Sequence, residues 1–282
     1  MAHRRNTPPG GTGDLLQTLG DLTGRILDRI KFQQARVELA AALQRQVLAA
    51  ELPVLPCLRA AGRYAPARAG LDIGGDWYDG FLMPDGSVGF AIGDVQGHDV
   101  EAAAMMGQVR TCLRAVTTAT TDPAEVLRLT NDLLVSMASG LFVTCSFLRF
   151  DPVTGELADA RAGHVPAVWA SDGGRCDIVI NEGGLPLGIQ AGESYPSTRR
   201  SLTDVGVFVL VTDGLVEGPS YPIEEGLERV AALAGGACRG DPDELAAQII
   251  KVADATGHSD DAAVLVLRYG GFQEQRPQGG PR

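Results

Sequence analysis

The sequence predicts an α+β fold, two packed antiparallel β-sheets with helices on both outer faces. Three observations predict it. Short apolar segments follow one another in hairpin succession with turn residues between them. Helical segments come in adjacent pairs instead of alternating with strands, which argues against a parallel βαβ sheet. Glycine is abundant, 36 of 282 residues, where chains average ~7%, as many tight turns require. A hydrophobic share of 45% supplies a well-buried core and excludes wholesale disorder.

Residues 1–13 contain Pro8-Pro9-Gly10-Gly11 and predict a disordered tail. From Asp14, a fitting N-cap, Leu15, Leu19, Leu22, Ile26 and Ile30 recur at helical spacing, and Val37, Ala40, Leu43 and Val47 continue the series. One long helix or a two-helix hairpin fits residues 14–50. Gly20 and Gly24 each cost about 1 kcal/mol relative to alanine in a helix interior, so this helical extension is expected to need a partner surface. Pro53 and Pro56 end it and open a single domain over residues 51–269. Strands are expected at residues 59–64, 70–73, 77–82 and 88–92, the last entered through the turn Pro84-Asp85-Gly86. Helices follow at about 98–119 and 122–138, the second opened by Thr121-Asp122-Pro123. Strands resume at 142–151, 156–163, 165–171 and 176–180, and the apolar run 205–211 reads as a central strand. Helices at 223–233 and 242–255, a strand at 262–268 and a disordered polar tail at 270–282 complete the chain.

The formal charge of −11 argues against electrostatic binding to nucleic acid or an anionic membrane. Cys57, Cys112, Cys145, Cys176 and Cys238 are odd in number with no CxxC, which predicts reduced thiols. No apolar run approaches the ~20 residues of a membrane span, and the basic N-terminus leads into no signal-peptide core. A soluble cytoplasmic protein is expected.

Four acidic positions share one context. Asp76 follows Gly74-Gly75, Asp94 follows an apolar run and Gly93, and Asp213 ends the run 207–212 and precedes Gly214. Asp260 and Asp261 stand before the last strand. Carboxylates at the ends of buried strands repel one another if they converge, so a cluster raises pKa values or recruits a cation. Hard ions such as Mg²⁺ and Mn²⁺ prefer oxygen ligands, and two of them ~3.5–4 Å apart can clamp a phosphoryl group. The chain has no Cys/His zinc spacing, no GxxxxGK[ST] loop and no GxSxG elbow. The competing reading for Asp94 is a strand-to-helix turn whose aspartate caps the helix, and a solvated turn aspartate competes at each other position.

GGDWYD, GDVQGHDVEAAAMM, ARAGHVPAVW, GGLPLGI, VTDGLVEG and SDDAAVLVLR occur in this order. Together they resemble the PPM (protein phosphatase 2C-like) serine/threonine phosphatases, and more closely the bacterial SpoIIE-type branch with its RsbU-like stress and sporulation regulators. The resemblance covers roughly residues 45–269. It implies a β-sandwich of two antiparallel sheets flanked by helices, and two Mn²⁺ or Mg²⁺ ions. By resemblance, Asp94 bridges the ions, the backbone carbonyl of Val95 binds one, and Asp76 serves the first directly or through water. Asp213 and Asp260 complete the second site, Asp260 being placed ahead of Asp261 by its spacing to the following valine. The implied reaction is attack of a water activated by the two ions on the phosphorus of a phosphoserine or phosphothreonine. His98 either donates a proton to the leaving oxygen or holds the turn, and His164 is read as structural. The branch commonly has glycine where this chain has Asp99. No phosphate-binding residue is assigned, and Arg63 stands as an unsupported candidate. Helices matching 98–138 are implicated in switching and dimer contacts, so with residues 14–50 they are the expected surfaces for an activating partner or homodimer. The implied substrate is a phosphorylated anti-sigma-factor antagonist of the STAS type. Two other readings compete: a catalytically silent module of the same fold that works by partner docking, and a hydrolase of small phosphate esters. Loss of aspartates would favour the silent module, and none is lost.

Overall fold

The structure, a computed structural model, describes residues 22–27, 29, 31, 51–66, 74–97, 100–257 and 260–270. The expected strand at 70–73 and both expected tails (Gly270 apart) lie outside the described residues, as does most of the segment 14–50. Residues 22–27 are helical, and Leu22, Ile26 and Leu27 are exposed.

Alternation along the strands sorts the apolar side chains into three layers. The first sheet runs β1 (Val54–Leu55), β2 (Leu58–Ala65), β11 (Ala262–Tyr269), β10 (Gly206–Val211), β7 (Ala167–Ser171), β8 (Cys176–Val179). The second runs β3 (Trp77–Leu82), β4 (Val88–Val95), β5 (Val143–Phe150), β6 (Glu156–Ala162), β9 (Ser197–Ser201). All named strand pairs are antiparallel. Val88, Phe90 and Ile92 of β4 meet Phe208 and Leu210 of β10 and Leu265 and Leu267 of β11 between the sheets. Ala91 and Val95 face the other way, toward α1 (Val100–Val116) and α2 (Pro123–Met137). Val207, Val209 and Val211 face α4 (Ile223–Gly236) and α5 (Pro242–Ile249). Both faces of each sheet are thus covered in the middle, which is why β10 is buried at every position.

Helix α2 begins where its cap chemistry dictates. Asp122 accepts from the Ala124 and Glu125 N–H groups at 3.0 and 3.3 Å, and Pro123 occupies the first turn. Asn131, fully buried on this helix, donates to the Gln190 carbonyl at 2.7 Å and accepts from the Gly188 N–H at 2.9 Å, pinning the loop before β9. Helix α1 is tied to β3 by charge. Asp79, 1% exposed, accepts from Arg114 Nε and Nη2 at 2.8 and 2.7 Å and from Arg110 Nε at 3.3 Å. The Arg114 guanidinium also lies 4.6 Å over the Phe81 ring.

Two elements differ from expectation. Strand β9 reads Ser-Thr-Arg-Arg-Ser, with no apolar alternation to announce it, and exists because its backbone pairs with β6 at the sheet edge. The stretch expected as one helix over 242–255 divides into α5, a 3₁₀ turn at Ile250–Val252 and α6 (Ala253–Thr256). A short α3 (Asp213–Val216) follows β10 directly.

Asp79→Ala leaves two guanidinium groups facing a hole where their carboxylate stood, one of them on the well-covered Arg110. It is expected to lower stability by about 3 kcal/mol in urea unfolding, with Arg114→Ala, whose side chain is half exposed, costing less.

Candidate metal centre

At one end of the sandwich the inward-facing rows stop being apolar. Asp94 lies two residues beyond Ile92 on β4, and Asp76 two before Tyr78 on β3. Asp261 lies two before Ala263 on β11, and Thr212 two beyond Leu210 on β10. The two-residue period of a strand therefore delivers these side chains to the same inter-sheet position. Asp213 opens α3 immediately after Thr212, and the exposed Asp260 precedes Asp261.

Glycines let the segments carrying these acids approach one another. A Cβ on Gly75 would lie 2.2 Å from the Val95 carbonyl oxygen and 2.9 Å from Asp94 Oδ1. On Gly74 it would lie 1.4 Å from Asp261 Oδ2, and on Gly214 2.0 Å from the Asp261 carbonyl oxygen. The Val95 N–H donates to the Gly75 carbonyl at 3.3 Å. Thr212, fully buried, exchanges bonds with Ala263, accepting from its N–H at 2.8 Å through Oγ1 and donating its own N–H to its carbonyl at 3.1 Å. Those bonds hold the Asp213 and Asp261 ends of β10 and β11 side by side. Asp213 Oδ1 accepts from the Gly214 N–H at 2.8 Å, and Asp260 Oδ1 from the Asp261 N–H at 2.9 Å.

The acids sense one another. Burial, then the Asp94 charge and hydrogen-bonding contact, push Asp76 well above the usual carboxylate range, with Asp261 adding to the rise and Thr212 opposing it. Asp94 is pushed up to about 7, mainly by burial, with the Asp213, Asp260 and Asp261 charges adding and its bond to Asp76 opposing. Burial also raises Asp213; the Gly214 N–H opposes this and Asp260 reinforces it.

These residues fit hard divalent cations. The side-chain donors are all carboxylate oxygens, and Oδ2 of Asp76 is buried without a hydrogen bond among the described residues. Among the described residues no group of three such side chains closes into a ready metal cage. Asp76, Asp94, Val95, Asp213, Asp260 and Asp261 are all brought to this end of the sandwich. His98 and Asp99 lie outside the described residues. Arg63 pairs with Asp243 of α5 at 3.0 Å and donates to its neighbour's carbonyl at 2.9 Å.

Sequence reasoning missed Thr212, Thr144 and the placement of His164. For Thr212 the signal was available, since it continues the inward row of β10. His164 is 2% exposed, with Nδ1 2.8 Å from Thr144 Oγ1. Burial and the nearby Arg161 charge hold its pKa down near 3, against a smaller upward pull from the Val211 carbonyl.

Gly75→Ala is expected to displace the Asp94 and Val95 segment and lower any phosphatase activity about hundredfold, as a misplacement of ~1 Å does, in an assay of phosphate release. A second expectation concerns acid. Unfolded His164 takes a proton near pH 6.5, whereas folded His164 does so only near pH 3, so between these values the unfolded state binds more protons. Stability relative to a His164→Asn variant is therefore complete above pH 6.5 and falls by about 1.4 kcal/mol per pH unit down to pH 3, measured by urea unfolding at several pH values.

Known proteins resemble the chain over this same region. Phosphoserine phosphatase RsbU of Bacillus subtilis is 25% identical over 185 residues, 65% of this chain and 54% of RsbU. Phosphoserine phosphatase RsbP of the same organism is 24% identical over 154 residues, 53% of this chain and 38% of RsbP. The chain thus spans about half or less of the length of these curated relatives. Among solved structures, the RsbU and RsbW domains of a Mycobacterium tuberculosis protein align with a TM-score of 0.69 at 30% identity, covering 78% of this chain and 63% of that one. The SiaA-PP2C domain of Pseudomonas aeruginosa aligns with a TM-score of 0.70 over 86% of this chain and 98% of its own, at 21% identity, a likeness of fold. The α+β sandwich expected from the sequence is thus a PP2C-type fold. Residues 84–270 match the Stage II sporulation protein E (SpoIIE) family, and the chain belongs to that family.

Proposed function

We propose that this chain is a metal-dependent phosphoserine/phosphothreonine protein phosphatase acting on a phosphorylated anti-sigma-factor antagonist of the STAS type. The observation that carries the reading is the gathering of Asp76, Asp94, Asp213, Asp260 and Asp261 at one end of the inter-sheet core, each raising or sensing the charge of another. Asp94 and the Val95 carbonyl would hold two Mn²⁺ or Mg²⁺ ions together with Asp76 on one side and Asp213 and Asp260 on the other. Bound there, the ions would acidify a water and neutralise charge developing on the phosphoryl oxygens. The Thr212 hydroxyl opposes the rise in the Asp76 pKa. Asp94, raised to about 7 without a cation, would give up its proton to become a ligand. Asp261, buried behind Gly74, adds to the upward push on Asp76 and Asp94.

The relatives named phosphoserine phosphatases support the substrate chemistry. The RsbU-like resemblance supports the antagonist as partner. Helix α1 starts five residues after Val95, so a partner or second copy engaging α1 would act close to Asp94; α2 and residues 14–50 are the other surfaces proposed for such a partner. Among the described residues no helix is long and apolar enough to cross a membrane, which suits action in the cytoplasm.

The test is phosphate release from a phosphoserine peptide and from p-nitrophenyl phosphate, with and without Mn²⁺. Asp94→Asn and Asp213→Asn are each expected to lower the rate by about hundredfold or more. Hydrolysis that survives chelation of divalent ions would sink the reading. Mn²⁺ binding without hydrolysis of either substrate would favour the docking module.

A further inference from the structure

We infer that Arg161 is a positioning residue: its guanidinium braces a crossover that joins the two sheets at the acid-bearing end, and so sets the spacing of the Asp94 and Asp213 halves of the carboxylate cluster. The inference rests on the two-ion reading above and assigns a further residue to that site.

Strand β6 ends at Ala162 in the second sheet, and β7 begins at Ala167 in the first. Residues 163–166 alone carry the chain across. They leave the second sheet beside Thr144, which follows the Cys145–Ala162 pair and stands opposite Asp94. They enter the first sheet at the end of β7 whose register with β10 runs toward Val211, and Asp213 lies just beyond. The crossover is thus a short covalent tie between the strands that carry the two halves of the cluster.

Arg161 holds that tie. It lies opposite Ser146, and Ser146 opposite the inward-facing Ile92, so the Arg161 side chain points between the sheets in the row next to that of Asp94 and Thr144. Nη1 donates to the His164 carbonyl in the crossover at 2.6 Å. Nη2 donates to the Asn181 carbonyl, just past β8 of the first sheet, also at 2.6 Å. One planar fork therefore joins β6, the crossover and the first sheet. The Asn181 side chain returns the link by donating to Asp159 Oδ2 on β6 at 3.1 Å. Apolar packing does not take its place, because beside the fork the sheets enclose a gap of about 270 Å³, lined in part by Ser146, Asp159, Arg161, Asn181, Phe208 and Leu210. The crossover itself is stiff. Gly163 sits in the left-handed region at φ 63°. Its N–H donates to the Gly184 carbonyl at 2.9 Å, and the Gly184 N–H donates to the Arg161 carbonyl at 2.9 Å. An arginine that only supplied charge would be replaceable by lysine, whereas a fork serving carbonyls on two separate segments is not.

The experiment is Mn²⁺ titration calorimetry on the full chain, with thermal unfolding of each variant. Arg161→Lys keeps the charge and loses the fork, and is expected to raise the Mn²⁺ Kd about tenfold. Asn181→Ala removes the return bond to Asp159 and leaves both carbonyls in place, so a rise of about fivefold is expected. Arg149→Ala breaks pairs with Asp85 and Asp151 toward the opposite end of β5 from Thr144. It is expected to lower the unfolding temperature and to bind Mn²⁺ as the parent does. Binding by Arg161→Lys within about twofold of the parent, whatever its thermal stability, would overturn the inference and leave Arg161 a stabilising residue. Equal weakening in Arg149→Ala would overturn it too. If Arg161→Lys fails to fold, Asn181→Ala decides by the same limit. Asp94→Asn, titrated beside them, keeps the two readings apart. If it binds Mn²⁺ as the parent does, the two-ion reading itself fails; if it loses binding while Arg161→Lys matches the parent, the brace alone fails.

Discussion

Acids that repel one another are held at the end of an apolar interior, and much of the surrounding structure exists to keep them there. Charge buried without compensation is costly, so the fold limits that cost in several ways at once. Burial raises Asp76 well above the usual carboxylate range and Asp94 to about 7, which lowers the charge to be buried. Gly74 and Gly75 bring a peptide, in place of side chains, against the other segments. Thr212 binds β10 to β11 through both its backbone and its hydroxyl. Such an arrangement is poor for stability and good for capturing a doubly charged cation.

The same strand serves the acids and the helices. Asp76 and Asp79 are three residues apart, so they face opposite sides of the second sheet, one toward the cluster and one toward α1. Arg110 and Arg114 fasten α1 to that strand, while α1 follows closely on the Asp94 segment. Helix α1 is thus tied through Asp79 to the strand that Asp76 leads into. Helix α2 reaches the same end from farther away, by way of Asn131 and the loop that packs on Gly163.

The strands that carry the acids were legible because burial on both faces writes itself as unbroken apolar runs, as in residues 206–211, and each aspartate stands at one end of its run or one residue from it. The helix pair was legible from Thr121-Asp122-Pro123 and from its apolar stripe. What stayed hidden depends on contacts between distant segments. Nothing near Thr144 or His164 announces that the two meet, since twenty residues and a hairpin separate them. Asp79 carried no role of its own within the expected strand 77–82, and only its distance to Arg114 distinguishes it. Whether Asp260 or Asp261 faces a cation also escapes a linear reading, because adjacent residues at a strand entrance point opposite ways.

Strand β9 closes one edge of the second sheet with arginines. Arg199 is 3.5 Å from Asp122 and Arg200 is 3.0 Å from Asp159, so the charges are anchored to their own sheet and to the cap of α2. A rim armed this way resists the addition of a foreign strand. Sheet-to-sheet zippering of copies along that rim is disfavoured, so the β9 edge is closed to the kind of association that an unguarded strand invites.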